Sequence, residues 1–290
     1  MNNDTPIAEN ILKEMVDRAL AEDIGNGDIS AALIPTTTLA QATVITREPM
    51  CLCGTAWFNQ VFHQLDANTR ITWYCADSDF IPANTILCTL QGTARTLLTG
   101  ERSALNFLQL LSGTATITRE YVALLKSSPT RLLDTRKTIP GWRLAQKYAV
   151  RCGGGKNHRM GLYDAFLIKE NHIAAVGSIT HAIAAARRLV PDKVIEIEVE
   201  NLSELDEAIA SQADIVLLDN FDDTQLAQAI KRTNKKTKLE VSGNITQTRL
   251  QYLADLGIDY ISVGALTKHV HAIDLSMRLT EIVSPQTTQI

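Results

Sequence analysis

Six short, mostly apolar stretches decide the fold of this chain: RLLD at residues 131–134, AFLIK at 165–169, IEIEVE at 195–200, IVLLD at 215–219, LEVS at 239–242 and YISVG at 260–264. Helical periodicity between them predicts helices near residues 178–190, 203–211, 223–233 and 246–256. The predicted strands start roughly every 20 to 30 residues, which is the length of a βα unit in a parallel sheet or barrel. We therefore expect a parallel α/β arrangement after residue 113.

Polar residues gather at the carboxyl ends of these predicted strands. They are Asp134 to Lys137, Lys169, Glu198 with Glu200, Asp219, Ser242 and Gly264. In βα barrels the loops after the strands build the active site. An open doubly wound sheet would use only the strand ends near its switch point. Because all six predicted strands end in this way, the pattern favours a βα barrel with a site at its carboxyl-end face.

The part of the chain before residue 113 follows another pattern. Residues 5–22 predict an amphipathic helix with Thr5 as its cap and Pro6 at its first position. Residues 40–90 contain stretches rich in β-formers, interrupted by a helix around Val61. These features predict an N-terminal region of helices and β-strands that is organised differently from the part after residue 113.

A further helix is predicted over residues 94–111, with leucines along one stripe. Glu101 lies inside this stripe and Arg102 at its margin, which is unusual for an ordinary core helix. We expect domains at residues 1–113 and 114–275, followed by a C-terminal tail at 276–290 that packs back on the N-terminal domain.

Composition excludes several classes of protein. The chain has 290 residues, 45% hydrophobic and 21% charged, as in an ordinary globular protein. No apolar run approaches the roughly 18 to 20 residues of a membrane span, and the first residues lack the pattern of a signal peptide. Five cysteines without a CxxC pair fit a reducing compartment, so we expect a cytoplasmic protein. Cys51 and Cys53 are the only close pair, and their spacing is open to metal binding or to burial as thiols.

Charge is unevenly distributed along the chain. The net charge is -4, yet residues 131–169 contain nine Lys and Arg against two Asp. A local basic excess in an acidic protein favours a focused site for a small polyanion over a broad nucleic-acid surface. A solvated basic helix face is the alternative.

Three features near this basic segment have both functional and structural readings. GGGKN at residues 153–157 lacks the spacing of a P-loop, but its glycines can admit a phosphate or form a turn. Lys169 suits a Schiff base, a carboxylate-binding cation or a snorkelling structural lysine. Glu198 and Asp219 suit an acid/base pair, ligands of a magnesium ion completed by substrate phosphates, or structural ion pairing.

The longest motifs resemble one enzyme family. DTRKTIPG at residues 134–141, YAVRCGGGKNHR at 148–159 and LIKENH at 167–172 closely resemble the quinolinate phosphoribosyltransferases, or carboxylating nicotinate-nucleotide pyrophosphorylases. The resemblance continues in EDIGNGD at 22–28, ERSALN at 101–106, IEVE at 197–200, LDN at 218–220, SG at 242–243 and VGA at 263–265. It thus covers nearly the whole chain in the expected order.

This resemblance implies a fold, a reaction and an assembly. The fold is an N-terminal α/β sandwich followed by an incomplete α/β barrel. The reaction transfers phosphoribosyl from phosphoribosyl pyrophosphate to quinolinate with decarboxylation, which gives nicotinate mononucleotide for NAD biosynthesis. The assembly is a homodimer, with a higher oligomer left open, in which the neighbour's N-terminal domain completes each active site. Mg²⁺ is the implied cofactor, and neither nucleic acid nor membrane is an implied partner.

Residue roles follow from the same resemblance. Arg102 would reach the partner's site. The quinolinate pocket would be lined by Arg136, His158, Arg159 and Lys169. Phosphoribosyl pyrophosphate would be bound by Lys137, Glu198 and Asp219, the last two also serving Mg²⁺. Thr135 would be a further substrate-binding residue. The 5-phosphate would be received by Ser242, Gly243, Asn244, Val263, Gly264 and Ala265. Catalysis would rest on Lys137, Lys169, Glu198 and Asp219.

Two residues depart from the family pattern, and two other functions compete. Glu170 stands where Asp is more usual, and Asn244 stands where Gly is common, which bears on loop geometry. A related phosphoribosyltransferase for another acidic heterocycle or a monocarboxylate, such as the homologues associated with molybdenum transport, is one rival. A noncatalytic anion-binding protein on the same scaffold is the other. The number of cations favours a dicarboxylate and therefore quinolinate.

Overall fold

A computed structural model describes residues 7–125, 128–243 and 245–283 of the chain. The fold consists of two compact units. The antiparallel unit comprises Asn2–Arg119, Leu144–Gly154 and His269–Ile290, and the parallel unit comprises Glu120–Arg143 and Gly155–Lys268. Each unit therefore draws on segments that are separated in the sequence.

The first part of the chain forms alternating helices and antiparallel strands. Its elements are α1 Glu9–Ile24, β1 Leu39–Thr46, β2 Met50–Cys51, α2 Thr55–Leu65, β3 Arg70–Trp73, β4 Phe80–Ile81, β5 Ile86–Thr93 and α3 Ala94–Leu124. The antiparallel unit also contains most of α4 Arg143–Cys152 and all of β12 Leu275–Val283. Its main sheet has the order β12-β1-β5-β3, and β2 pairs with β4. Residues 284–290 of the expected tail lie outside the described residues.

Aromatic packing builds the core of the antiparallel unit. Phe58 and Phe62 on α2 are fully buried, and the Phe58 ring meets the Trp73 ring edge-on at 5.2 Å between centroids. Burying one such side chain contributes roughly 1.5 to 3 kcal/mol. A Cβ at Gly100 of α3 would lie 2.7 Å from the Phe62 ring, so a residue without a side chain lets α3 approach α2 this closely.

The cysteines of the antiparallel unit are free thiols. Both Cys51 and Cys53 are fully buried, and burial raises their pKa. The Cys53 sulfur lies within 4.8 Å of an Asp77 carboxylate oxygen and of the Cys152 sulfur, and Cys51 is not part of this cluster. The Asp77 carboxylate accepts hydrogen bonds from the backbone at the start of α2 and from the Tyr148 hydroxyl at 2.8 Å. Asp77 therefore caps α2, and the thiols pack as core residues.

The GGGKN segment has a structural explanation at its first glycines. A Cβ on Gly153 would lie 2.4 Å from the Ala115 carbonyl oxygen of α3, so only glycine fits there. Gly154 has a φ of 89°, a left-handed conformation that favours glycine. Of the two alternatives for GGGKN, a phosphate loop and a structural turn, Gly153 and Gly154 support the turn.

The parallel unit is built on six strands: β6 Arg131–Leu133, β7 Phe166–Ile168, β8 Ile195–Val199, β9 Ile215–Leu218, β10 Lys238–Ser242 and β11 Tyr260–Ser262. Its helices are α5 Glu170–Val176, α6 Ile179–Leu189, α7 Leu202–Ala210, α8 Asp223–Thr233, α9 Gln247–Leu256 and α10 Ala265–Lys268. All neighbouring strands run parallel in the order β6-β11-β10-β9-β8-β7. Lys156 adds a parallel bridge to Leu133 beside the edge strand β6.

The predicted fold class is confirmed. The six strands and four helices predicted after residue 113 all form, with ends shifted by no more than two residues. The start predicted for the first helix is wrong, because α1 begins at Glu9 with Ala8 as its cap. Thr5 and Pro6 lie outside the described residues. None of the helices in the described ranges is both long and apolar enough to span a bilayer.

Candidate active site

The carboxyl ends of the six parallel strands bring together most of the residues singled out in the sequence. Thr135 to Lys137 follow β6, Lys169 follows β7, and Asp219 follows β9, whereas Glu198 lies within β8 close to its end. Since all six strands are parallel, these residues share one edge of the sheet. We call this edge the rim.

Lys169 and Glu198 form an ion pair at the rim. The Lys169 Nζ lies 2.5 Å from Glu198 Oε2, and β7 and β8 are neighbours in the sheet. The Lys169 side chain is 43% exposed and that of Glu198 13%. Lys169 is also the N-cap of α5, where its backbone N–H donates to His172 Nδ1. The lysine is therefore held at the rim with its ammonium partly open to solvent.

Thr135, Lys137 and Gly264 meet on the other side of the rim. Thr135 Oγ1 accepts the backbone N–H of Lys137 at 3.1 Å, and Thr267 Oγ1 donates to the Lys137 carbonyl at 2.9 Å. A Cβ on Gly264 would lie 3.0 Å from Lys137 Cδ. Gly264 thus leaves room for the Lys137 side chain to lie across the start of α10.

Arg136 and Arg159 lie close enough to repel each other. Burial and the nearby charge of Arg136 lower the pKa of Arg159, although Glu196 and Asp164 oppose this shift. Arg159 is buried, and its Nη1 donates to the Ala165 carbonyl at 3.2 Å. Its Nε is buried and has no hydrogen-bond partner among the described residues. An unpaired guanidinium N–H in a cationic environment is suited to an anionic ligand.

His158 is held from both sides of its ring. Nδ1 accepts the backbone N–H of Arg159 at 2.7 Å, and Nε2 lies 2.9 Å from Glu196 Oε2 and 3.6 Å from Glu240 Oε1. The backbone N–H of His158 donates to Asp134 Oδ1 at 2.9 Å. All four side chains are buried. The ring therefore lies inside the parallel unit.

Sequence reasoning missed Glu196 and Glu240 and gave Asp134 no role of its own. A signal was available for Glu196, because side chains two residues apart in a strand share a face, and Glu196 precedes Glu198 by two positions. Glu240 is the one carboxylate in the strand β10 Lys238–Ser242. Burial and the Glu196 charge raise the pKa of Glu240 to about 8, so this carboxyl is mostly protonated at neutral pH.

Asp219, Ser242 and Gly243 follow or end the two middle strands, β9 and β10. They therefore lie between the Lys169–Glu198 ion pair and the group around Lys137. The Asp219 backbone N–H donates to the Val199 carbonyl at 3.0 Å, and its carboxylate accepts a hydrogen bond from the Asn220 side chain at 2.9 Å. Ser242 ends β10, and Gly243 has a φ of 91°. Asn244 lies outside the described residues.

The last predicted phosphate-binding segment is Val263 to Ala265. Val263 donates its backbone N–H to the Leu133 carbonyl, and the Gly264 carbonyl accepts the N–H groups of Thr267 and Lys268. The segment thus joins β11 to α10 beside the loop after β6. Among these residues, the Val263 N–H is already used within the sheet.

Arg102 is placed differently from the other predicted site residues. It lies on α3 in the antiparallel unit and is exposed. Its neighbour Glu101 is partly buried, and this burial raises the pKa of the Glu101 carboxyl. The residues that share the rim therefore do not include Arg102.

Family models match both halves of the chain. The model described as quinolinate phosphoribosyl transferase, C-terminal domain, matches residues 114–278, and the corresponding N-terminal domain matches residues 28–112. The chain belongs to the quinolinate phosphoribosyltransferase family. The family resemblance seen in the motifs is thereby confirmed.

Relatives of this family align over nearly the full chain. Probable carboxylating nicotinate-nucleotide pyrophosphorylases of Synechocystis sp. and Bacillus subtilis are 40% and 41% identical, and each alignment covers 93% of this chain. It covers 92% and 93% of those proteins, respectively. The solved nicotinate-nucleotide pyrophosphorylase of Francisella tularensis superposes with a TM-score of 0.92 at 52% identity. That superposition covers 95% of this chain and 98% of the other, so both units of the fold are those of the family.

Proposed function

We propose that the rim is the active site at which this chain carries out the reaction of its family. That reaction transfers phosphoribosyl from phosphoribosyl pyrophosphate to quinolinate and releases pyrophosphate and CO2. Its product is nicotinate mononucleotide, a precursor of NAD. The observation that supports this placement best is the buried, unpartnered Nε of Arg159 beside the charge of Arg136.

Quinolinate has two adjacent carboxylates, and these match the cations on one side of the rim. We assign Arg136, Arg159 and Lys169 to the two carboxylates, with His158 bordering the same pocket. A guanidinium offers two parallel N–H groups to one carboxylate, so two arginines suit two carboxylates better than two lysines would. Binding would place an anion beside the unpaired Nε and relieve the repulsion between the arginines.

The phosphoribosyl pyrophosphate would lie across the middle of the rim. We assign the pyrophosphate to Thr135 and Lys137, and the 5-phosphate to the loops after β10 and β11. The residues that we assign to the 5-phosphate in sequence are Ser242, Gly243, Asn244, Val263, Gly264 and Ala265. Gly264 and Gly243 have no side chain to prevent a phosphate from approaching the backbone.

Glu198 and Asp219 fit Mg²⁺ only together with the substrate. They offer oxygen ligands from adjacent strands, but two carboxylates alone do not make the six-coordinate oxygen shell that Mg²⁺ prefers. Both already accept hydrogen bonds, Glu198 from Lys169 and Asp219 from Asn220. Mg²⁺, when bound with the phosphates, would neutralise charge on the leaving pyrophosphate.

The residues of the rim match the charge changes of the reaction. The quinolinate ring nitrogen attacks the anomeric carbon as the bond to pyrophosphate breaks, so positive charge develops on the ribose and negative charge on the leaving group. Carboxylates at Glu198 and Asp219 stabilise the first charge, and the Lys137 ammonium stabilises the second. Loss of CO2 from the carbon beside the cationic nitrogen then leaves an electron pair that is protonated.

Arg102 extends the proposal to the assembly. We propose a homodimer in which Arg102 of one subunit completes the quinolinate pocket of the other, as the family resemblance implies. An exposed arginine on α3, outside the unit that holds the rim, is consistent with such a role. We further propose a cytoplasmic location, because five free cysteines fit a reducing compartment.

The acceptor substrate can be tested directly. With phosphoribosyl pyrophosphate and Mg²⁺ present, we expect quinolinate to yield nicotinate mononucleotide, pyrophosphate and CO2 in equal amounts. Nicotinate is the matched control, because it lacks the second carboxylate, and we expect it to turn over far more slowly. Turnover of nicotinate alone would show a monocarboxylate enzyme, and binding without pyrophosphate release would show a noncatalytic anion-binding protein.

A further inference from the structure

The buried group of His158, Glu196 and Glu240 has no role in the assignments above except at the edge of the pocket. His158 Nε2 and one oxygen of each carboxylate lie within 4.8 Å of one another. Glu196 Oε1 and both Glu240 oxygens have no hydrogen-bond partner among the described residues. The cluster lines a cavity of about 1000 Å³ whose other residues include the first residues of β6, β9, β10 and β11. It therefore lies below the rim, within the parallel sheet.

The hydrogen bonds of the ring determine where its proton lies. Because Nδ1 accepts the N–H of Arg159 at 2.7 Å, this nitrogen presents a lone pair. In the neutral ring the proton is then on Nε2, which lies 2.9 Å from Glu196 Oε2, within hydrogen-bonding distance. His158 is thus oriented by Glu196 on one side and holds the backbone of Arg159 on the other.

A metal ion is a poorer explanation of this cluster. Coordination by Nε2 would require its lone pair and would move the ring proton to Nδ1. That proton would then face the N–H of Arg159, donor against donor, at a distance of 2.7 Å. The observed geometry favours an Nε2–H hydrogen bond to a carboxylate.

The Arg159 guanidinium makes few hydrogen bonds of its own. Within the described ranges its guanidinium donates one hydrogen bond, to the Ala165 carbonyl at 3.2 Å, while Nε remains unpartnered. Its orientation is therefore set by packing and by the backbone from which the side chain starts. His158 Nδ1 binds that backbone directly at the Arg159 nitrogen.

We propose that Glu196, acting through His158, is a positioning residue that holds Arg159 in place for a quinolinate carboxylate. Glu240 is the second carboxyl of the cluster and is kept uncharged beside Glu196 by its burial. The inference rests on the function proposed above. It assigns His158 to the support of the pocket, with both ring nitrogens engaged by the protein.

The first test replaces Glu196 with Leu, which removes the acceptor for Nε2–H. A lost positioning hydrogen bond is worth about 1 to 3 kcal/mol, so we expect the KM for quinolinate to rise about 5- to 150-fold. The KM for phosphoribosyl pyrophosphate and kcat should change less than about 3-fold. Glu196→Gln keeps an oxygen acceptor and should remain within about 3-fold of the wild type. An unchanged KM for quinolinate in Glu196→Leu would overturn the inference.

A double-mutant cycle separates positioning from general damage to the fold. In an Arg159→Ala background, Glu196 and His158 have no arginine side chain to position. Adding Glu196→Leu should therefore raise the KM for quinolinate less than about 2-fold further. If the two substitutions instead raise the KM for quinolinate by the product of their separate effects, Glu196 does not act through Arg159. If Glu196→Leu does not fold, His158→Gln takes its place, since it lacks an acceptor at the Nδ1 position and should give the same selective rise.

Two controls keep the outcomes distinct. Quinolinate turnover by the wild type is measured first, so failure of the proposed function is seen before any variant is compared. Metal analysis of the purified wild type should find less than one equivalent of transition metal. A stoichiometric metal that disappears in Glu196→Leu would replace the hydrogen-bond relay with a metal site.

Discussion

Glu196 and Glu198 lie on the same face of one strand, yet their surroundings differ. The Glu196 side chain is 1% exposed and contacts the His158 ring, whereas that of Glu198 is 13% exposed and pairs with the Lys169 ammonium. Glu198 lies near the end of β8, where a ligand can reach its carboxylate. Glu196 lies two residues further from that end, and the protein encloses its carboxylate. The rim and the buried cluster below it therefore differ in depth along the strand, although the residue type is the same.

The largest effect is expected at the rim. Lys137→Ala and Glu198→Ala should each lower kcat about 30- to 1000-fold, because removing a charge that acts mainly in the transition state costs about 2 to 4 kcal/mol. Quinolinate affinity, measured by calorimetry, should change little. Lys231→Ala, which removes an exposed lysine of α8, is the control and should leave both quantities unchanged. Collapse of quinolinate affinity with intact turnover would place both residues on the wrong side of the site.

A subunit-mixing experiment asks whether the rim is complete within one chain. Arg102→Ala and Lys169→Ala subunits should each be inactive alone. If Arg102 serves the partner's site, a mixed dimer contains one intact site, so random exchange should restore about a quarter of wild-type activity. No recovery, despite exchange verified by mass spectrometry, would show that each rim works without the neighbour's Arg102.

The prediction for the buried cluster concerns stability and its dependence on pH, with activity unaffected. Because the pKa of Glu240 is raised to about 8 in the folded protein, this carboxyl stays protonated there at pH values at which it ionises in the unfolded chain. Its contribution to the free energy of unfolding is present below the unfolded-state pKa. It is lost as pH rises towards 8, at up to about 1.4 kcal/mol per pH unit.

Glu240→Gln removes this dependence, since the amide stays neutral at every pH. Its urea midpoint relative to the wild type should therefore rise steadily from pH 5 to pH 8. Glu14→Gln, an exposed carboxylate on α1, should differ from the wild type by a constant amount. Parallel curves for Glu240→Gln and the wild type would mean that Glu240 is ionised in the folded protein.

Sequence reasoning located the rim far better than the cluster beneath it. Strand ends are visible in sequence because apolar runs stop at them, so Lys169, Glu198 and Asp219 stood out. The contact between His158 and Glu196 joins the segment after α4 to β8, and no local pattern predicts which buried groups meet across that separation. The first glycines of GGGKN were ambiguous for the same reason, since the carbonyl that excludes a side chain at Gly153 belongs to α3.

The pairing of β1 with β12 has a consequence for the synthesis of the chain. Thr46 pairs with Leu275 and Leu39 with Val283, so a strand made early waits for one made late. Until β12 emerges from the ribosome, β1 is an edge strand with free backbone groups on one side, and such edges attract other extended chains. Contacts so distant in sequence also slow folding. We therefore expect chains cut short before β12 to aggregate during translation, even though every residue of the rim has already been made.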